Sequence, residues 1–281
     1  MAQKNSHDSR TLSKWTVFLA FLRRDFAEEW SYPLVIAAEF FRLCGTLIAL
    51  YFIALLFKSG ETTSLLPYGS SYFPFAVIGL IGGEFLWVSM RGHSLKIRQH
   101  QLMGTLEACL MTRANLFDVV MGAPAYPLVR VTIRAVIYLS VLGCLFGYET
   151  SPSAGFTALL IWLLSVLIFL ALGVISASIT LVIKRGDPLA YAINGIAWLC
   201  GGILYPTSLL PEWAKTLSYL VPITPMLDSV RALLLAGAGY DEVLFNLVWL
   251  LGYGAAVLPI AFFSFKAADR HLATHGALES Y

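Results

Sequence analysis

From Thr150 to Ile183 the chain runs 34 consecutive residues without one Asp, Glu, Lys or Arg. About 20 apolar residues in a helix cross the hydrocarbon core of a bilayer. A helix that is apolar on every side has no face for water. The run therefore reads as a transmembrane helix. Composition extends the argument to the whole chain: 58% of residues are hydrophobic and 13% are charged, against about 25% charged in an average soluble domain. A polypeptide of 281 residues with so few polar groups cannot cover its own surface in water. The expected fold class is an all-α integral membrane protein.

Six spans are predicted, at about 34–57, 71–90, 126–148, 154–183, 188–205 and 243–265. The charge-free part of the third is only Ala135–Tyr148, so this helix must begin earlier and include Arg130 and Arg134. Those arginines are expected near the cytoplasmic surface, where long side chains snorkel to water. With the N-terminus inside, 13 of the 19 Lys and Arg residues fall in cytoplasmic segments, three (Lys58, Lys215 and Arg231) in outer segments, and three (Arg42, Arg130 and Arg134) within spans. Such an imbalance orients a membrane protein with its basic loops in the cytoplasm. Both termini are expected there, with no secretory leader at the polar start of the chain.

Trp15, Phe18, Leu19, Leu22, Phe26 and Trp30 recur at helical spacing, with Arg23, Arg24, Asp25, Glu28 and Glu29 between them. This pattern predicts an amphipathic helix lying flat at the cytoplasmic face. The expected organisation is a tail and interfacial helix over 1–33, a six-span transmembrane domain over 34–265, and a cytoplasmic tail over 266–281. Between spans 2 and 3, the stretch from Arg91 to about Ala125 is too short for an enzyme domain but long enough for one or two projecting helices. Between spans 5 and 6, the stretch from Pro206 to Glu242 is too apolar for an exposed loop. It carries Tyr205, Pro206, Pro211, Pro222 and Pro225 among leucines and tryptophans. Short helices re-entering the outer half of the membrane fit that pattern, because irregular backbone at depth is tolerated where protein surrounds it.

Several chemistries are missing from the motifs. The sequence holds no GxxxxGK[ST] phosphate loop, no HExxH and no GxSxG. All five histidines (His7, His93, His100, His271 and His275) lie outside the predicted spans, which argues against an intramembrane metal centre or histidine proton relay. Cys44, Cys109, Cys144 and Cys200 form no CxxC pair and read as packing residues. Charges inside spans are more informative, since each costs about 2.5–3.5 kcal/mol at mid-bilayer on insertion scales. Glu39 and Arg42 are three residues apart, on one helical face; Glu84 lies in span 2, toward the cytoplasmic third. Two readings stand for this trio: the lining or gate of a substrate path, and a structural ion pair. Gly79-xxx-Gly83 and Gly143-xxx-Gly147 read as close-packing sites.

Three segments share a family pattern. Gly104-Thr105-Leu106-Glu107-Ala108-Cys109-Leu110-Met111-Thr112-Arg113, after span 2, resembles the GTLE-x-LL-x-TP motif of bacterial ABC exporter permeases of the type 2 class, with Arg113 where proline is usual. Leu204-Tyr205-Pro206 through Pro211-Glu212-Trp213 resembles the family's stretch after span 5. Pro222-Ile223-Thr224-Pro225 with Asp228, Arg231 and Gly237 resembles its NP-x-x-P-x-x-D-x-x-R-x-x-x-x-G segment, Ile223 and Thr224 varying the usual form. The GTLE form is closer to the drug-resistance and nodulation-factor branch than to the O-antigen branch.

The resemblance implies a permease in a bacterial inner membrane, working with two copies of a separate cytoplasmic ABC ATPase and a second permease copy in a homodimer. It implies that Gly104, Thr105, Leu106, Glu107 and Thr112 form a coupling helix docked on the ATPase, and that Tyr205, Pro206, Pro211, Pro222, Pro225, Asp228 and Arg231 belong to re-entrant outer helices closing the path. ATP and Mg would be held by the partner; no cofactor, metal or nucleic acid is expected on this chain. The cargo would be amphipathic: a drug-like compound, a lipid or a lipid-linked glycan. An ion-coupled secondary transporter is the alternative, or a lipid-modifying or assembly protein of the membrane.

Overall fold

The computed structural model describes residues 14–57, 65, 68, 71–104, 116–146, 151–183 and 186–275. Within them every regular element is helical: α1 (Lys14–Trp30), α2 (Pro33–Phe57), α3 (Tyr72–Leu102), α4 (Leu116–Gly122), α5 (Ala125–Phe146), α6 (Pro152–Ile183), α7 (Pro188–Cys200), α8 (Glu212–Leu220), α9 (Ile223–Leu235) and α10 (Tyr240–His275), with a 3-10 turn at Thr207–Leu209 before α8. Five stretches are long and apolar enough to cross a membrane: Pro33–Leu56, Tyr72–Leu102, Leu116–Leu145, Pro152–Ile183 and Tyr240–Leu272.

The bundle is built around α3, which touches α2, α4, α5, α6, α7 and α9. Phe75, Ala76, Val77, Leu86 and Met90 of this helix are wholly enclosed. α6 and α10 pack along one another, and α9 wedges between them and α3. α2 is the opposite case. It buries little more than the Leu43–Leu50 line against α3 and leaves Leu34, Phe41, Phe52 and Leu56 outward. Apolar side chains facing out on every long helix are what a lipid solvent permits.

Close approach depends on one glycine of the predicted pairs. At Gly79 a Cβ would collide with the Ile203 carbonyl oxygen and the Arg231 guanidinium. Gly83 is in looser contact, its Cβ position 3.0 Å from Ile203 Cδ1. Gly143 differs from the expectation, because a Cβ there meets nothing within 4 Å. Gly147 lies outside the described residues.

Two elements are longer than the sequence pattern suggests. α3 has 31 residues, about 46 Å at 1.5 Å per residue, and so exceeds a hydrocarbon core of about 30 Å. Its polar last third carries His93, which is therefore on a long helix and fully buried, not in a loop. Helix geometry continues through Arg91–Arg98 because the stretch is packed: Gly92, His93, Ser94 and Ile97 are buried, and packing outweighs their modest helix propensity. α10 likewise continues to His275. By contrast α7 has 13 residues, about 20 Å, and stops at Gly201 where a span to 205 was expected. The chain then bends through Gly202, whose φ of +73° suits glycine. Contacts of this segment with α3 nonetheless climb steadily, from Asp187 against Ser94, through Asn194 against Met90 and Trp198 against Gly83, to Ile203 against Gly79.

Candidate functional site

A cleft of about 720 Å³ opens between α2, α3, α5 and α7, lined by five charged residues and two tryptophans. α2 supplies Glu39 and Arg42, α3 supplies Glu84 and Trp87, α5 supplies Arg130 and Arg134, and α7 supplies Trp198. Arg42 grips Glu39 with two bonds, Nη2 to Oε1 at 2.7 Å and Nε to Oε2 at 3.1 Å. Its Nη1 reaches Glu84 Oε1 at 3.3 Å. Arg134 donates to Glu39 and meets Glu84 Oε2 through Nε at 3.2 Å. Arg130 contacts Glu39 at 3.3 Å and, on its other side, Glu29 of α1 at 2.7 Å.

The trio predicted from sequence is thus brought together, but as half of a larger set. Three carboxylates and three guanidiniums from four helices close to zero net charge, which is the condition for keeping ions away from bulk water. Sequence reading missed Glu29, Arg130 and Arg134 as members. It sent the two arginines to the membrane surface, whereas they turn inward; Arg134 is only 13% exposed in its side chain. A signal was present: arginines four apart on an otherwise apolar helix share one face, and a shared face suits a shared set of partners better than separate excursions to water. Tyr138, one further turn along that face, is buried with its hydroxyl lacking a partner in the structure.

α1 is tied to this centre. Asp25 is buried against Lys96 of α3 at 3.2 Å, and Glu29 holds Arg130. The acidic side of α1 therefore faces protein, while Leu19, Phe26 and Trp30 face outward. Phe21 packs over Gly122, where an added Cβ would lie 2.8 Å from the ring.

A second polar centre lies where α7 begins. Asp187 caps α7 by accepting from the Ala190 amide at 3.0 Å, with Pro188 at the first helical position. The same carboxylate accepts hydrogen bonds from Ser94 of α3 and Ser176 of α6. One buried acid thus ties three helices just after Lys184 and Arg185 in the sequence.

The segment between α7 and α10 is organised by Arg231 of α9. The residue is 1% exposed. Its guanidinium lies over the Phe75 ring, 3.5 Å from the centroid. It donates to the carbonyls of Phe75 (3.2 and 2.9 Å), Gly202 (2.7 Å) and Ile203 (3.0 Å). Asp228, one turn earlier, accepts from the Tyr68 hydroxyl at 3.0 Å. Burial, with the Asp228 carboxylate adding to it, pushes the Tyr68 phenol above its usual range. Tyr205 donates to the Leu199 carbonyl. Pro206, Pro211 and Pro222 precede the 3-10 turn, α8 and α9, and Pro225 sits in the first turn of α9, where a missing N–H costs no helical bond. The topology count placed Arg231 in an outer segment of short helices; within the protein its side chain is an internal staple.

Of the predicted coupling residues, Gly104 ends α3 with φ +64°, while Thr105, Leu106, Glu107 and Thr112 lie outside the described residues. Among the described residues no group of three His, Cys, Asp or Glu side chains is placed to hold a metal ion.

Compared with known families, residues 16–235 match the family described as ABC-2 type transporter. No curated protein matches the chain.

Proposed function

The chain belongs to the ABC-2 type transporter family, a transmembrane permease component of an ABC transporter, and on that premise we propose that it forms the membrane path of an ATP-driven exporter for an amphipathic substrate. The observation that carries the reading is the charged cleft. Residues that cost several kcal/mol in lipid are gathered from three helices around an open volume of about 720 Å³ whose walls include Trp87 and Trp198. A polar floor with aromatic walls suits a molecule with a polar head and an apolar body. In this reading Glu39, Arg42 and Glu84 line the path or its gate, with Arg130 and Arg134.

Family members work with an ABC ATPase subunit. We assign the docking role to the segment Gly104–Thr112, which follows the cytoplasmic end of α3. The expected assembly is two permease copies, a homodimer, with two ATPases that hold ATP and Mg. The broad outward face of α2 suits the second copy or lipid. We read α7 with residues 201–205 as a broken fifth crossing; in support, its contacts climb α3 from Ser94 to Gly79, about 22 Å at 1.5 Å per residue. That gives six crossings and both termini in the cytoplasm of a bacterial inner membrane. The segment holding α8 and α9 then closes the outer side as re-entrant helices.

An ion-coupled secondary transporter is less well supported, because Glu39 is held by three arginines and Glu84 by two, which leaves no vacant carboxylate for a coupling ion. The test is direct. Purified in detergent or vesicles, the chain alone should hydrolyse no ATP, and substrate efflux should require an added ABC ATPase and stop with vanadate. Efflux by the chain alone, abolished by an ionophore, would overturn the proposal.

A further inference from the structure

A second cavity, remote in character from the charged cleft, has an apolar lining. It encloses about 520 Å³ between α5 and α6. These helices follow one another in sequence, yet both pack on α3 rather than along each other. The gap between them is a slot. Its floor is Ile78, Ile81 and Phe85 of α3, and Val230 and Leu234 of α9 close it further. Phe85 and Trp162 meet edge to face at 5.3 Å on one wall. The only hydroxyl among the lining residues, Thr132 Oγ1, already donates to the Leu128 carbonyl at 2.8 Å. Nothing in the slot rewards a polar ligand or water, which needs two to four polar partners.

We propose that this slot is a binding site for one acyl chain of a membrane lipid. Its depth, length and width all bear on the occupant. Both walls are helices of spanning length and apolarity, so the slot opens at the depth of the hydrocarbon. It extends from Leu128 to Leu139 on α5 and from Gly155 to Val166 on α6, about 16 Å along each axis at 1.5 Å per residue. A single alkyl chain lying along the axes is slim enough, and the slot is continuous with the outward-facing Val136, Leu139, Leu159 and Leu163 that already face lipid. An unfilled apolar slot would forfeit dispersion contacts along its whole length. Because Val230 and Leu234 belong to the helix that Arg231 anchors, the bound chain also rests against the outer segment. This site stands whether or not the chain exports.

The full-length protein is reconstituted in phosphatidylethanolamine–phosphatidylglycerol vesicles doped with a phosphatidylcholine that carries a mid-chain diazirine, irradiated, and mapped by peptide mass spectrometry. Adducts should concentrate on the α5 and α6 peptides lining the slot, several-fold above those on the lipid face of α10 around Phe245, Val248 and Leu251. Gly155→Leu fills the slot from a position where an added Cβ meets nothing within 4 Å. It should lower slot labelling to the α10 level and leave α10 labelling unchanged. Val136→Phe, a change at an outward-facing position, should act in the same direction. Should Gly155→Leu fail to fold, Val136→Phe carries the test. Labelling of the slot no stronger than that of α10, labelling indifferent to both substitutions, or cross-links from the slot to a second copy would each overturn the proposal.

Discussion

Arg231 directs three of its nitrogens at three backbone carbonyls, two of which, those of Gly202 and Ile203, lie outside any helix. The guanidinium is a planar fork, and its plane also stacks on Phe75; an ammonium can do neither. Leaving a buried acceptor unpaired costs about 1–3 kcal/mol. Arg231→Lys should therefore lower stability by about 3 kcal/mol, seen as a fall in melting temperature of the detergent-purified protein. Arg91→Lys, which loses only stacking on Trp87 and Tyr191, should cost less than about 1 kcal/mol. The glycines separate in the same way. Gly79→Ala drives a methyl group into the Ile203 backbone, which cannot rotate aside, and should cost at least about 1–3 kcal/mol. Gly143→Ala meets open space and should leave the melting temperature of the monomeric chain unchanged or slightly raised, as alanine favours helix.

Among the elements, α7 is a short apolar helix of 13 residues that is held at its start. Its first turn is capped by Asp187, and the same carboxylate joins Ser94, Ser176 and the Ala190 amide. Asp187→Ala removes a cap, about 1 kcal/mol, and strands two buried hydroxyls. We expect a loss of about 2–4 kcal/mol in thermal melting. Asp187→Asn keeps an acceptor for the amide and should recover part of that loss. An Asp187→Ala protein with unchanged melting would mean that α7 is positioned by packing alone. α1 shows a different dependence. Its acidic residues hold Lys96 and Arg130, so its placement on the bundle is electrostatic on one side and apolar on the other.

For the molecule as a whole, the charged cleft and the proposed docking segment are joined by one helix. α3 carries Glu84 in the cleft and runs to Leu102, just before the Gly104–Thr112 stretch. In the proposed assembly this helix of 31 residues is the mechanical link, since a displacement at its far end moves the part that carries Glu84. Glu107→Ala should leave membrane insertion and folding intact, yet separate ATP hydrolysis by the partner from substrate efflux in co-reconstituted vesicles. Normal efflux per ATP in that variant would remove Glu107 from the coupling role.

What the sequence determined by itself was everything that follows from one-dimensional chemistry. Uncharged runs the length of a bilayer made α6 and α10 legible, and the apolar run from Leu43 to Phe57 marked α2. Helical spacing of Trp15–Trp30 predicted α1, and proline positions marked the breaks before α8 and α9, whereas the stop of α7 at Gly201 did not follow from the sequence pattern. Glu39, Arg42 and Glu84 stood out because charge in a span is expensive wherever it falls. Only the tertiary structure decided partners. It turned Arg130 and Arg134 inward, made Arg231 an internal staple, buried His93, and left a slot between α5 and α6. Those outcomes depend on which helix faces meet, and local sequence fixes the face a residue occupies but not what stands opposite it.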